Sequence, residues 1–311
     1  MPKHFLSLLD FTPDALEHCL SLASTLKAAR RAATATEHDR ALHGRQVGLL
    51  FEKPSLRTRV TFTIGVGELG GHVVDIPSDV MHADREPLHD VARNLERWVD
   101  AVVIRTFAQA RLSIFTDSAP ALRIVNALSD EEHPCQALAD LQTLRERWGT
   151  VEGRTIAFVG DGNNVATSLV HGALMQGANV RVATPKGYGL PGETASMADR
   201  IAIKGATLKQ YVDPKDAVKG VDAIYTDVWT SMGQEVEYAE RTKIFSRYQV
   251  NEALMARAKP DALFMHCLPA HRGQEVTDEV IESPASVAFD QAENRLHAQK
   301  AMLVTLFANG A

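Results

Sequence analysis

The segment Ser55-Leu56-Arg57-Thr58-Arg59 has the residue types of a site for a phosphate group. Pro54 precedes Ser55, which is a good N-cap residue, and the apolar residues that follow return at helical spacing. Free backbone N–H groups at a helix N-terminus attract an anion, and the planar fork of arginine matches phosphate oxygens. The alternative is an ordinary capped helix whose arginines are solvated.

A second candidate is His133-Pro134-Cys135-Gln136, which opens a predicted helix. A histidine beside a helix N-terminus is favoured in its neutral form, and a neutral imidazole can polarise a carbonyl group. The alternative is a packed histidine next to a buried cysteine.

The turn Gly160-Asp161-Gly162-Asn163-Asn164-Val165 follows an apolar run and resembles the start of a dinucleotide-binding fingerprint. Val165 stands where the third glycine belongs, so the match to G-x-G-x-x-G is weak. We interpret the segment as a tight strand-to-helix turn without a dinucleotide. Asn163 and Asn164 are then candidates to face a substrate.

The chain has three cysteines, Cys19, Cys135 and Cys267. They are too few for a disulfide framework, and a reducing cytoplasm is the expected compartment. His266-Cys267 raises the question of zinc, but no C-x-x-C or H-x₃-H partner accompanies it, so no metal is predicted. Cys19 lies on an apolar helical face and is expected in the core.

The apolar runs that must position these residues alternate with helical segments, which is the rhythm of parallel sheets covered on both faces. The sequence predicts an α/β protein with two doubly wound parallel-sheet domains joined by interdomain helices. The predicted domains are 1–132 and 150–290, linked by helix 133–149, with helix 291–311 packing back on the first domain. The predicted strands are 47–51, 73–76, 101–104, 155–159, 180–183, 223–226 and 262–265.

Polar residues follow five of these strands directly or within a few positions. In open α/β sheets, ligands bind beyond the carboxyl ends of the strands. Although loops are commonly polar, the coincidence at five strand ends favours one cleft between the two units. The residues concerned are the Ser55–Arg59 segment, Arg105, Asp161, Asp227 and the pair His266-Cys267.

Composition limits the possible functions. The chain has 311 residues, of which 45% are hydrophobic and 23% charged, and this balance excludes a disordered or collagen-like protein. No apolar run approaches the roughly 18 residues of a membrane span, and no secretory signal is visible at the N-terminus. The net charge of -6 argues against nucleic acid as a partner, so an anion must be held by a local basic cluster.

Four motifs that occur in one order resemble the aspartate/ornithine carbamoyltransferase family, and within it the members that act on ornithine. One motif alone could arise by chance, whereas four in order over nearly the whole chain are highly specific. The motifs are Phe51-Glu52-Lys53-Pro54-Ser55-Leu56-Arg57-Thr58-Arg59, His133-Pro134-Cys135-Gln136, Asp227-Val228-Trp229-Thr230-Ser231-Met232-Gly233 and His266-Cys267-Leu268-Pro269.

The resemblance implies a transferase that moves the carbamoyl group of carbamoyl phosphate to the δ-amine of L-ornithine, giving L-citrulline and phosphate in arginine metabolism. It implies no metal, no organic cofactor, and a homotrimer or a multiple of trimers with sites at subunit boundaries. The residues that it assigns to carbamoyl phosphate are Ser55, Leu56, Arg57, Thr58, Arg105, His133, Pro134, Cys135, Gln136, Cys267, Leu268 and Arg295, the last being placed before the final helix. Those that it assigns to ornithine are Asn164, Asp227, Ser231 and Met232, and the catalytic set is Arg57, Arg105, His133, Asp227 and Cys267.

One loop departs from the family's pattern. Members usually carry a Gln there that reaches the carbamoyl phosphate site of the neighbouring subunit, whereas this loop, 78–84, is one residue shorter than the family's pattern, with Met81 nearest the expected position. Met81 cannot donate a hydrogen bond as a Gln amide does, but His82 can. Either His82 takes over this role in trans, or it is a solvated loop residue.

Three rival functions are disfavoured by particular residues. Aspartate-specific relatives lack the Ser231-Met232-Gly233 loop and have Pro in place of Cys267, and a relative acting on putrescine needs no clamp for an α-amino acid. A nucleotide-binding oxidoreductase requires the glycine that is missing at Val165. A non-catalytic homologue is expected to have lost Arg57, His133 or Cys267, and all three are present.

Overall fold

Two compact units make up the chain, whose computed structural model describes residues 2–82, 86–230 and 235–308. Unit 1 comprises Met1–Gln142 and Asn294–Ala311, and unit 2 comprises Thr143–Glu293. The first boundary between the units falls inside the helix Pro134–Trp148, whereas the sequence analysis treats that helix as a separate linker.

Parallel strands and helices alternate along both units. The strands are β1 Gln46–Phe51, β2 His72–Ile76, β3 Ala101–Arg105, β4 Arg123–Leu128, β5 Thr155–Val159, β6 Asn179–Ala183, β7 Leu208–Tyr211, β8 Ala223–Thr226 and β9 Leu263–His266. The helices are α1 Pro13–Ala32, α2 Leu56–Glu68, α3 Leu88–Trp98, α4 Ala110–Ser118, α5 Pro134–Trp148, α6 Asn164–Met175, α7 Gly192–Ile201, α8 Pro214–Ala217, α9 Tyr238–Phe245, α10 Glu252–Met255, α11 Asp278–Ile281 and α12 Ala288–Phe307.

The predicted α/β class with two parallel sheets is confirmed. Unit 1 has the strand order β2-β1-β3-β4 and unit 2 the order β7-β6-β5-β8-β9. All seven predicted strands form within a residue or two of their predicted ends. The sequence analysis missed β4 and β7, because β4 contains polar Asn126 and the short edge strand β7 has two adjacent polar residues, Lys209 and Gln210, at its centre.

The sheet of unit 2 is covered on both faces, as the near-continuous apolar runs predict. Successive residues of a strand point to opposite faces, so β5 supplies two separate cores. Phe158 packs in one core with Tyr225, whereas Val159 packs in the other with Phe264. Because the side chains on both faces of such a strand pack in a core, only residues at its ends can reach a ligand.

The last helix is fixed within unit 1 by polar contacts as well as apolar ones. Lys27 Nζ on α1 donates to Asn294 Oδ1 on α12 at 2.7 Å, and both residues are buried. Near the C-terminal end of α12, the Leu306 carbonyl oxygen accepts a hydrogen bond from Arg123 Nε at 3.2 Å. These contacts hold the part of α12 that carries Arg295 against α1 and β4 of unit 1.

Each sheet contains one point at which the strand order reverses, and ligands of open α/β sheets bind at such points. In unit 1 the reversal lies between β1 and β3, and in unit 2 between β5 and β8. Arg57, Arg105, Asn164 and Asp227 lie at or shortly after the carboxyl ends of these four strands. Within the described ranges, the chain has no helix that is both long and apolar enough to cross a membrane.

Candidate active site

The loop from β1 to α2 ends in the capped helix start that the sequence predicts. The Ser55 side chain is the N-cap of α2, where Oγ accepts a hydrogen bond from Thr58 N–H at 3.3 Å. Arg57 lies in the first turn and is half-buried, and Thr58 is buried. The Leu56 side chain is 75% exposed, so only its backbone N–H belongs to this anion-attracting turn.

Arg105 ends β3 beside that helix start. In the pairing of β1 with β3, Arg105 lies opposite Phe51, and Glu52 N–H donates to the Arg105 carbonyl oxygen at 2.8 Å. The strand pairing thus brings a guanidinium group to the edge of the sheet where α2 begins. Arg57 and Arg105 provide the local basic cluster that a chain of net charge -6 requires for an anion.

His133 is buried at the start of α5 and is held neutral by its surroundings. Its pKa lies well below the ordinary value of 6.5, first because burial penalises the charged imidazolium and then because Arg295, Arg105 and Arg57 are positively charged. A neutral imidazole carries one N–H donor and is suited to polarising a carbonyl oxygen.

The two residues after His133 are buried within unit 1. Pro134 begins α5, and Cys135 is fully buried with its Sγ 3.4 Å from the Asn126 carbonyl oxygen. Burial raises the pKa of the Cys135 thiol to about 12, which leaves it a packed, unreactive group.

Arg295 joins two of the predicted site residues. Its Nη1 donates to Gln136 Oε1 at 2.7 Å and its Nη2 to Thr58 Oγ1 at 3.0 Å, and its side chain is among the largest that are fully buried. Gln136 Nε2 in turn donates to buried Asp140 at 2.8 Å, which fixes the amide from the other side. The placement of Arg295 before the last helix is wrong, because α12 begins at Ala288 and Arg295 lies two turns inside it.

In unit 2, the turn after β5 is shaped by packing of backbone on backbone. A Cβ atom at Gly162 would lie 2.4 Å from the Gly189 carbonyl carbon, so only glycine fits there. This agrees with the predicted tight strand-to-helix turn. Asn163 is the N-cap of α6, where Oδ1 accepts from Val165 and Ala166 N–H groups at 3.1 Å, and Asn164 is the first helical residue.

Asp227 and Cys267 are brought together from the ends of neighbouring strands. Cys267 Sγ donates to Asp227 Oδ1 at 2.9 Å, and the Val228 N–H donates to the same oxygen at 2.8 Å. Asn163 Nδ2 donates to Asp227 Oδ2 at 2.8 Å, so Asn163 both caps α6 and orients the carboxylate. Leu268 follows Cys267 with a left-handed backbone, φ 55°. Ser231 and Met232 lie outside the described residues.

His266 stands next to this pair, and with Asp227 and Cys267 it places one potential ligand atom per residue within 4.8 Å of the others. Both ring nitrogens are engaged, however: Nδ1 accepts from Leu268 N–H at 2.9 Å, and Nε2 is 3.1 Å from Glu275 Oε1. A metal ion would have to displace one of these hydrogen bonds to recruit the ring.

The loop that departs from the family's pattern divides its side chains between core and surface. Met81 is buried in the core of unit 1 with Leu88 and Val91, so it is not presented to a neighbouring molecule. His82 is exposed. Residues 83–85 lie outside the described part of the chain.

Sequence reasoning missed the residues that hold the site residues in place. Arg241 on α9 contacts the turn after β5 and the segment after β8. Its Nη2 contacts Asp161, and its Nε donates to the Trp229 carbonyl oxygen at 2.5 Å. Arg241 also lies over the rings of Tyr188 and Phe245, at 4.9 and 5.1 Å from their centroids. Glu275 and Asp140 have no local pattern that distinguishes them from surface acids.

Comparison with known proteins gives matches over nearly the whole chain. Residues 3–146 match the profile of the aspartate/ornithine carbamoyltransferase carbamoyl-P binding domain, and residues 152–306 that of the Asp/Orn binding domain. Proteins named ornithine carbamoyltransferase from Synechocystis and Rhodococcus opacus are 48% and 50% identical, each over 98% of this chain and 96% of the relative. A solved structure of ornithine carbamoyltransferase from Pyrococcus furiosus superposes with a TM-score of 0.94 at 44% identity, covering 99% of this chain and 98% of that one.

Proposed function

The chain belongs to the aspartate/ornithine carbamoyltransferase family, and we propose that it transfers the carbamoyl group of carbamoyl phosphate to the δ-amine of L-ornithine. The products are L-citrulline and phosphate. The observation that carries this conclusion is the sequence identity of about 50%, over nearly the whole chain, to proteins named for that reaction. Two of the four motifs, those that contain Arg57 and Asp227, follow strands at the strand-order reversals of the two sheets, where ligands of such sheets bind.

Carbamoyl phosphate is bound by unit 1 residues. Arg57, the Ser55 hydroxyl and the backbone N–H groups of the first turn of α2 hold the phosphate oxygens, because together they supply charge and directed donors. Arg105 and neutral His133 donate to the carbonyl oxygen of the carbamoyl group. Donors aimed at an oxygen that gains negative charge stabilise the transition state more than the ground state.

Ornithine is bound by unit 2 residues. A free alkylamine such as that of lysine has a pKa of about 10.4, so the δ-amine must reach the carbonyl carbon deprotonated. Asp227, already fixed by Asn163 and the Val228 N–H, and Cys267 offer a carboxylate and a sulfur to orient the amine. Asn164 and the Ser231-Met232 segment serve the α-amino-acid end.

The reaction forms one C–N bond, breaks one C–O bond and moves one proton. The amine lone pair attacks the carbonyl carbon, the bond from that carbon to the phosphate oxygen breaks, and the proton that the amine loses passes to the departing phosphate. Holding the two substrates in reacting geometry contributes up to about 7–11 kcal/mol. No step in this scheme requires a metal or an organic cofactor.

We further propose a homotrimer, or a multiple of trimers, with sites completed at subunit boundaries. An exposed apolar stripe on α2 supports an interface there: Val60 and Ile64 are 43% and 39% exposed and lie one helical turn apart. A Val60→Glu variant should sediment as a smaller species than the parent, whereas Val212→Glu, at an exposed position in unit 2, should not. Parent protein that sediments as a monomer contradicts the trimer.

Within such a trimer, we propose that His82 of one chain takes the role of the missing Gln toward the carbamoyl phosphate of the next. Its exposure, together with the burial of Met81, supports this choice over Met81. His82→Ala and Arg57→Ala should each lose activity alone and regain part of it when refolded as a mixture. If His82→Ala is as active as the parent, its side chain contributes nothing.

The cytoplasm and a place in arginine biosynthesis complete the proposal. Three free cysteines, of which Cys19 and Cys135 are buried, are compatible with a reducing compartment. Cell fractionation tests the compartment, and growth of a deletion strain without arginine tests the pathway.

One assay tests the central claim against its rivals. Ornithine, putrescine, aspartate and N-acetylornithine are offered in parallel with carbamoyl phosphate, with and without a chelator. Citrulline from ornithine at a rate unaffected by the chelator is expected. A clear preference for another acceptor would overturn the assignment.

A further inference from the structure

A buried histidine–glutamate pair stands behind the Asp227–Cys267 contact. His266 and Glu275 are both fully buried, and His266 Nε2 lies 3.1 Å from Glu275 Oε1. Glu275 is held in turn because its Oε1 accepts from the His271 N–H at 2.5 Å. None of these groups belongs to the set that the proposed function assigns to a substrate.

The hydrogen bonds determine which ring nitrogen carries the proton. Nδ1 of His266 accepts from the Leu268 N–H at 2.9 Å, so the proton must lie on Nε2, which donates to the Glu275 carboxylate. The carboxylate thereby selects the tautomer whose Nδ1 is an acceptor. With the opposite tautomer, an N–H of the ring would face the N–H of Leu268.

The accepted N–H belongs to the residue with the unusual backbone. Leu268 has φ 55°, a left-handed backbone conformation that residues other than glycine rarely adopt without support from their surroundings. Cys267 lies between the anchored His266 and the anchored Leu268. The His266 backbone N–H also donates to buried Gln291 at 3.0 Å, so both sides of Cys267 are fixed.

We propose that Glu275 is a positioning residue of the transfer reaction: through the tautomer of His266 it holds the Leu268 backbone, and so keeps Cys267 Sγ on Asp227. The effect on the transfer reaction rests on the proposed function, whereas the position of Cys267 Sγ does not. A second observation favours a positional role over simple stabilisation. Among the described residues, buried Glu275 Oε2 has no hydrogen-bond partner, and a buried unsatisfied oxygen costs stability.

The steady-state test uses Glu275→Gln, which preserves shape, with Glu282→Gln as the control. Glu282 is an exposed carboxylate of the same unit, paired with Arg272. Glu275→Gln should raise the KM for ornithine about tenfold, which is about 1.4 kcal/mol, and leave the KM for carbamoyl phosphate within about twofold. Equal increases in both KM values, or none, would overturn the proposal.

Rescue and a double-mutant cycle separate positioning from general loss of stability. His266→Ala should weaken ornithine use, whereas His266→Asn should restore part of it, because an amide oxygen can accept the Leu268 N–H from the place of Nδ1. Adding Glu275→Gln to His266→Ala should add little, since the link is already broken. Fully additive effects, or an Asn variant no better than Ala, would contradict a path through His266.

A readout without substrates keeps this inference separate from the proposed function. Cys267 is the one cysteine of the three that is not buried, so iodoacetamide labelling followed by peptide mapping reports on its side chain. Labelling of Cys267 should be several-fold faster in Glu275→Gln than in the parent and unchanged in Glu282→Gln. Unchanged labelling in Glu275→Gln overturns the positioning role even if the enzyme makes citrulline, and faster labelling upholds it even if ornithine is not the substrate.

Discussion

Replacing Arg295 should destabilise the part of unit 1 that is proposed to bind carbamoyl phosphate. In Arg295→Met the side chain keeps an unbranched stem but loses the guanidinium group that donates to Gln136 Oε1 and Thr58 Oγ1. Both acceptors are buried, and each one left unsatisfied costs about 1–3 kcal/mol, so the free energy of unfolding should fall by about 2–6 kcal/mol. Since whole domains are stable by only about 5–15 kcal/mol, the loss is large.

Arg295→Lys separates charge from geometry. A lysine keeps the positive charge near His133, but its single ammonium group cannot reproduce the two directed contacts of the guanidinium fork. The free energy of unfolding should therefore fall by about 1–3 kcal/mol, which is one unsatisfied acceptor. Arg93→Met is the control, because Arg93 is 62% exposed on α3 of the same unit.

Urea unfolding measures the stability of the three variants, and kcat/KM for carbamoyl phosphate measures the effect on catalysis. The expected order of stability is parent and Arg93→Met, then Arg295→Lys, then Arg295→Met. Arg295→Met as stable as the parent would refute the reasoning, because Arg295 would then not be what satisfies these two acceptors. Equal losses in the Lys and Met variants would refute the assignment of separate contacts.

Three further predictions follow from the site. Arg57→Ala should lose about 2–4 kcal/mol of transition-state stabilisation in kcat/KM with little change in the urea midpoint, and near-normal activity would make the motif an ordinary capped helix. Cys267→Ser should weaken ornithine use with the KM for carbamoyl phosphate little changed, and the reverse pattern would show that Cys267 is misplaced. Because the pKa of buried His133 lies below 6.5, unfolding takes up a proton there, and the parent should lose up to about 1.4 kcal/mol per pH unit as pH falls below 6.5. His133→Gln should lack this part of the pH dependence in urea unfolding, and identical pH profiles would contradict a neutral His133.

The fold class and most of the strands follow from local patterns in the sequence. Short apolar runs with turn residues at their ends, such as 155–159, are typical of strands that are buried on both faces, and this signal is local. The N-cap at Ser55 is also local, because the cap and the N–H that it accepts are three residues apart. The missed strand β4 contains a polar residue whose partner comes from elsewhere in the chain, since Asn126 Nδ2 donates to the Leu6 carbonyl oxygen at 2.9 Å.

The residues that hold the site residues in place can be identified only from contacts between elements that are distant in the chain. Arg295 meets Thr58 from 237 positions away, and Arg241 meets Asp161 from 80 positions away. No pattern of neighbouring residues encodes such pairs, because they arise when elements distant in the chain pack together. The same holds for Glu275, because nothing in its neighbouring sequence distinguishes it from an exposed loop carboxylate. In the folded protein it is buried, and hydrogen bonds from His266 and the His271 N–H replace those from water.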